Sequence, residues 1–188
     1  MPDLPITLRS RTQVCRNSVF SVFLDHVTDA SGREVRDYLS VVPHRRAHDK
    51  VTGVAVLPVV DGKFGLIRVF RHPLGEYCWE VARGFVDSAE SPIAAALREL
   101  REETGLVAAA QSLRDLGLVA PEPGVVDARI RLFAATGCTR EPGAQEGEMG
   151  HREIRFFGRV ELAGMLGGSE ILDPCTLVCC YRCLGLPA

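Results

Sequence analysis

Apolar residues along this chain fall mostly into short runs of strand character, broken by three stretches of helical character. Val51 to Val60 and Phe64 to Phe70 are almost continuously apolar and flank Asp61-Gly62. That pattern predicts a hairpin of central strands buried on both faces. Upstream, Val19-Phe20-Ser21-Val22-Phe23-Leu24 is rich in β-branched and aromatic residues, and Asp29-Ala30-Ser31-Gly32 signals a turn into Glu34–Val42. Two or three strands are therefore expected between about Gln13 and Val42. A meander of roughly 45 residues buries too little to stand alone, and needs a further domain or a second subunit to cover it. Later strands are expected at Tyr77–Arg83, Ser112–Ala120, Arg129–Ala135 and His151–Val160, with Pro121-Glu122-Pro123-Gly124 as a loop.

The helical stretches carry their own punctuation. Ser91 is a good N-cap, Pro92 fits the first helical position, and Gly105 supplies a stop. At 100° per residue Ile93, Ala96, Leu97 and Leu100 share one face, which is expected to be buried. Glu161–Leu166 reads as a short helix, and Asp173-Pro174 opens a last one running to about Leu184. The composite is an α/β protein.

Composition narrows the class. With 188 residues and 46% hydrophobic content, the chain can bury one substantial core. A net charge of −2 gives no electrostatic case for nucleic acid or an anionic membrane. No apolar run is long enough to span a bilayer, and the N-terminal residues lack the apolar core of a secretory signal. Seven cysteines are an odd number for a disulfide framework, so a reducing, cytoplasmic location is expected. Cys175, Cys179, Cys180 and Cys183 invite a zinc reading, but one straight helix cannot wrap four sulfurs around an ion, and burial as small apolar residues is the better account.

Chemistry concentrates between Gly84 and Leu106. Glu99 and Glu103 lie one helical turn apart, with Glu102 beside them. Like charges at this spacing repel, so the cluster weakens the helix unless a cation joins it, and carboxylate oxygens suit a hard divalent ion. The spacing is also specific: Gly84, then Glu90, Arg98-Glu99-Leu100, Glu102-Glu103 and Gly105-Leu106. At all of these positions the stretch resembles the Nudix box of the Nudix hydrolases.

That resemblance implies an α/β/α sandwich over residues 49–188, preceded by an antiparallel β layer at 1–48 that mediates dimerisation. It implies hydrolysis of a nucleoside diphosphate derivative with Mg2+ or Mn2+. Glu99, Glu103 and Glu102, with the backbone carbonyl of Arg83, would hold the metal; Arg98 would orient the glutamates and Glu90 would brace the loop. The run IRVFRHPLGEYCWEVARGFVDSAES, together with Pro121 and the C-terminal segment, is similar to ADP-ribose pyrophosphatases and related sugar-nucleotide hydrolases. On that likeness Arg71 contacts phosphates, Glu80 shapes the site, and Gly84 and Arg83 flank the substrate. The products would be AMP and ribose 5-phosphate, and the assembly a homodimer. Another sugar nucleotide, a dinucleotide or a capped RNA is the alternative substrate, and a non-cleaving ADP-ribose-binding module the alternative function.

Two features depart from the pattern. Ala82-Arg83 stands where those enzymes usually carry Pro-Ala, which would bring an extra positive charge to the substrate. The family's general base comes from an acidic loop before a late strand, and direct alignment puts Gly150 or Arg152 there. A loop shift brings in Glu148, which is favoured over Glu153 and Glu146.

Overall fold

A computed structural model describes residues 5–47, 50–142 and 149–185. It divides into two compact units, Met1–Arg45 with Ala120–Ala128, and Arg46–Val119 with Arg129–Ala188.

The first unit is a three-stranded antiparallel sheet of β1 (Ile6–Arg16), β2 (Phe20–Asp29) and β3 (Glu34–Pro43), with β2 in the centre. β1 starts well before Gln13: the polar run Arg9–Gln13 hides the strand in the sequence, and pairing with β2 fixes it. The segment 120–128 runs along β3: Val41 N–H donates to the Val125 carbonyl at 2.8 Å, and Tyr38 Oη donates to the Gly124 carbonyl at 2.9 Å. A buried Asp25 on β2 accepts two hydrogen bonds from Arg11 at 2.7 Å and one from Ser40 at 2.8 Å, so its charge is paired on β1 and hydrogen-bonded from β3 as well. Burial works against that carboxylate, but the Arg11 guanidinium dominates and holds it below its ordinary range. Val19–Leu24 is mostly half-buried, and the large exposed apolar residues of this sheet are Ile6, Leu8 and Val14 on β1 and Val35, Tyr38 and Leu39 on β3.

The second unit is built on a mixed sheet. Its strands are β4 (Gly53–Val60), β5 (Lys63–Arg71), β6 (Glu76–Glu80), β7 (Ala82–Phe85), β9 (Leu113–Val119), β10 (Ile130–Thr136) and β12 (His151–Phe157). The short β8 (Leu106–Val107) and β11 (Thr139–Arg140) pair apart from it. β4 sits in the middle, parallel to β10, as its near-continuous apolar run predicts. Asp61 and Gly62 both take left-handed φ, 49° and 73°, the geometry of a tight hairpin turn. Beyond Val59↔Phe64 and Val60↔Lys63 the two hairpin strands part: β6 pairs with β5 and β7 with β4.

The expected single strand at 77–83 is therefore two. They break at Val81, whose N–H leaves the ladder and donates to Thr176 Oγ1 at 3.0 Å.

Helices cover both faces of this sheet. α1 (Pro92–Thr104) packs on the face that carries Val54, Val56, Phe133 and Ala135. α2 (Arg159–Gly167) and α3 (Pro174–Leu184) cover the opposite face, with Ala55, Leu57, Leu132 and Ala134. The result is the α/β/α sandwich anticipated from the sequence. β12 ends at Phe157, not Val160, because Gly158 caps α2 and Val160 stands out into solvent on its first turn. The thiols of Cys175, Cys179 and Cys180 fill the core beneath α3, and burial raises all three, Cys175 to about 11 and Cys180 to about 12. They stay protonated near neutral pH and act as small apolar side chains.

Candidate active site

α1 is placed by the caps its sequence encodes. Ser91 Oγ accepts from Ala94 N–H at 3.2 Å, and Gly105 closes the helix with φ of 66°. Its buried face is rotated from the expected one. Ala95, Ala96, Glu99, Leu100, Glu103 and Thr104 point inward, Leu97 is half-buried, and Ile93 is 44% exposed. Small alanines let the helix approach the sheet closely, and the rotation carries two carboxylates inward: Glu99 and Glu103 are 8% and 4% exposed, whereas Glu102 faces solvent.

Buried carboxylates need partners, since an unpaired one is costly away from water. Arg98 meets much of that need. Its guanidinium donates to Glu90 through Nε and Nη2, both at 3.1 Å, and to the Phe85 carbonyl at 2.9 Å. Its Nη1 reaches Glu99 at 2.7 Å and Glu102 at 3.1 Å. The hydrogen bond to Glu90 is the main influence lifting Arg98 above its ordinary pKa; against the cost of burial, the same contact holds Glu90 below its own. Glu103 Oε2 accepts the backbone N–H of Arg83 at 2.8 Å, which ties α1 directly to β7.

At Gly84 helix and strand approach closely. A Cβ on it would overlap the Glu99 carboxylate, and across the ladder a Cβ on Gly53 would come within 2.8 Å of the Gly84 carbonyl. Only a residue without a side chain fits between β4 and the helix at this point.

A second group of charges lies beside the first. Arg71 donates twice to Glu80, at 2.7 and 2.6 Å, in a fork-to-fork pair. Arg83 Nη2 lies 3.0 Å from Glu80 Oε2, and its Nη1 donates to Asp173 Oδ1 at 2.6 Å. Burial opposes the Arg83 charge, but Asp173 and Glu80 outweigh it and hold the guanidinium above its usual pKa. The side chain expected to bring free positive charge to a substrate is thus committed to two carboxylates. Asp173 was legible only as the opening of a helix; nothing in the sequence connects it to Arg83, 90 residues away.

Of the loop carboxylates, Glu146 and Glu148 lie outside the described residues. Glu141 is drawn to the end of α1, where it pairs with Arg101 at 2.6 Å. Glu153 pairs across the ladder with Arg68, while its neighbour Ile154 packs on the α1 side. Alternation along β12 therefore puts Glu153 on the face opposite α1. Gly150, at the far end of that loop, has φ of 91°, and its carbonyl accepts from Phe70 N–H at 2.9 Å.

The donor chemistry at Glu99, Glu103 and Glu102, all hard oxygen, fits a divalent cation of the magnesium class. As placed, Arg98 bridges Glu99 and Glu102, and among the described residues no three His, Cys, Asp or Glu side chains converge as a closed ligand set.

A NUDIX domain model matches residues 49–170, more than half of the chain, and the protein belongs to the Nudix family. Members of that family generally depend on divalent metal ions. The chain is 40% identical over 82 residues to the ADP-sugar pyrophosphatase of Mus musculus, covering 41% of this chain and 37% of that one. It is 41% identical over 96 residues to the ADP-ribose pyrophosphatase of Mycobacterium tuberculosis, covering 50% and 44% respectively. The chain thus spans less than half the length of these curated relatives. A crystal structure described as an ADP compounds hydrolase superposes with a TM-score of 0.78 at 20% identity, covering 96% of this chain and 92% of that one, and supports the fold. Among the described residues no helix is long and apolar enough to cross a membrane.

The contact at Gly84 generates a stability prediction. Gly84→Ala must displace either Glu99 or the helix, and overpacking of this kind costs about 1–3 kcal/mol. Urea denaturation measures it, and an unchanged midpoint would refute the close approach.

Proposed function

We propose that this protein hydrolyses the pyrophosphate bond of a nucleoside diphosphate derivative, ADP-ribose foremost, giving AMP and ribose 5-phosphate. The single observation that carries the reading is the pair of buried carboxylates, Glu99 and Glu103, held against the backbone of Arg83–Gly84 by an intact Nudix box. The named activities of the mouse and mycobacterial relatives favour an ADP-linked sugar over other nucleotides.

Glu99, Glu103 and Glu102, with the carbonyl of Arg83, are the ligands for Mg2+ or Mn2+. The ion would neutralise pyrophosphate charge and lower the pKa of a bound water. The residues of the chain do the rest. Arg98 holds Glu99 and Glu102 in fixed orientation through the contacts described above. Arg71, oriented by its fork onto Glu80, is the arginine that would contact the phosphates. Gly84 leaves room for the Glu99 carboxylate to lie against the β7 backbone beside the substrate. Glu148 is the general base: the box carboxylates are committed as ligands, and Glu153 lies on the wrong face of the sheet.

The layer at 1–48 is a dimerisation element. Ile6, Leu8, Val14, Val35 and Leu39 are exposed on the outer strands of its sheet, an apolar surface that a second copy would cover. A cytoplasmic location agrees with seven cysteines that are all unpaired. Retention of every box glutamate favours catalysis over a binding-only module.

The test is a panel of nucleoside diphosphate derivatives with Mg2+ or Mn2+, scored for release of nucleoside monophosphate. ADP-ribose should be cleaved best; release from another sugar nucleotide alone would reassign the substrate, and release from none would refute hydrolysis. In the same assay Glu103→Gln should lower turnover at least about 100-fold, the upper range for mere outer-shell partners of a metal. Turnover within a few-fold of wild type in saturating metal would remove Glu103 from the ligand set. Glu148→Gln should lower kcat about 10²–10⁴-fold with KM nearly unchanged. A crippling effect of Glu153→Gln in its place would move the base onto β12. Light scattering at micromolar concentration should report twice the 20.5 kDa chain mass, and a monomeric value would exclude the dimer.

A further inference from the structure

α3 begins at the break between β6 and β7, and its start is bonded to the break residue Val81 and to Arg83 on β7. Thr176 Oγ1 accepts Val81 N–H at 3.0 Å and itself donates to Asp173 Oδ2 at 2.7 Å. Asp173 Oδ2 also accepts Thr176 N–H at 2.8 Å, the N-cap bond of the helix. The other carboxylate oxygen, Oδ1, is turned away from the helix to Arg83 Nη1 at 2.6 Å. One buried side chain thus caps α3 with one oxygen and grips Arg83 with the other.

Arg83 is held from two further directions. Its Nη2 lies 3.0 Å from Glu80, and its backbone N–H is fixed by Glu103 at 2.8 Å. Both ends of the residue just before the box glycine are therefore anchored, the side chain by α3 and β6, the peptide by α1. Arg71, Glu80, Arg83 and Asp173 contribute two positive and two negative charges, so the group can be buried without net charge.

We propose that Asp173 is a positioning residue for the candidate active site: by gripping the Arg83 side chain it fixes the Arg83–Gly84 backbone against Glu103 and Glu99, and so sets the affinity of the box for a divalent cation. This rests on the reading of Glu99, Glu103 and the Arg83 carbonyl as ion ligands. It assigns the Arg83 side chain to orientation, not to substrate contact. Outer partners of metal ligands commonly change affinity about 10–100-fold.

The experiment is titration of the full chain with Mn2+, without substrate, following the loss of the free-ion paramagnetic signal. Asp173→Asn keeps an N-cap for α3 but presents an amide to Arg83, and should raise the Mn2+ dissociation constant about 10–100-fold while the thermal unfolding midpoint of the apo protein stays within a few degrees. Should that variant fail to fold, Asp173→Ser retains the cap and serves in its place. In an Arg83→Met background the same substitution should have no further effect on Mn2+ binding, because the grip is already lost. Equal Mn2+ affinity of wild type and Asp173→Asn overturns the positioning role and leaves the ligand assignment standing. A full additional effect in the Arg83→Met background overturns it as well, since Asp173 would then act by another route. A wild-type chain that takes up no Mn2+ removes the ligand assignment itself, and the positioning role with it.

Discussion

The site half of this protein is organised by the need to bury two carboxylates on a helix face that also packs against a sheet. Glu99 and Glu103 sit inward on α1 beside Ala95, Ala96 and Leu100. Each lone charge in such a place is unfavourable by several kcal/mol unless it is neutralised or fully hydrogen-bonded. The surrounding chain supplies this in three ways: the Arg98 guanidinium, the N–H of Arg83, and the missing side chain of Gly84, which lets the Glu99 carboxylate approach β7. A helix that met the sheet through leucines would leave no room for this. The alanines of the box are as much a part of the site as its acids.

The same need explains why arginines here are partners before they are ligands for anything else. Arg98 spreads its donors over three carboxylates and a carbonyl, and Arg71 is forked onto Glu80. Coulomb attraction between desolvated neighbours far exceeds that between solvated ones, so these pairs persist and fix geometry. By charge alone, an extra arginine before the box glycine reads as added attraction for phosphate. In its folded setting it is neutralised by Asp173 and Glu80. A residue's formal charge says little until its partners are known.

That distinction also marks what was legible in the sequence. The hairpin at Asp61-Gly62, the caps of α1 and the start of α3 at Asp173-Pro174 are local signals, each complete within a few residues, and the Gly84–Leu106 spacing is complete within one helix and its loop. Features set by distant segments were not legible. β1 extends back to Ile6 because β2 provides its ladder. The strand at 77–83 splits because Thr176, 95 positions from Val81, takes its N–H. The rotation of α1 that exposes Ile93 follows from the alanine contact with the sheet and the anchoring of Glu103 to β7, neither of which a helical wheel contains. The Asp173–Arg83 grip belongs to the same class.

α3 shows how a core element comes to hold the residue before the box glycine. Its body is an apolar plug, with protonated thiols of Cys175, Cys179 and Cys180 and the side chain of Leu184 packed under the sheet. Its first turn is polar, as helix starts must be, because the N–H groups there lack partners within the helix. Capping by a carboxylate answers that requirement with one oxygen and leaves the second free to bond elsewhere; a serine or threonine cap has a single oxygen for both tasks. Here the second oxygen meets Arg83. A demand of helix geometry at one end of the chain thereby becomes an anchor for the residue next to the box glycine, and packing of the thiol-rich core is what holds that anchor in place.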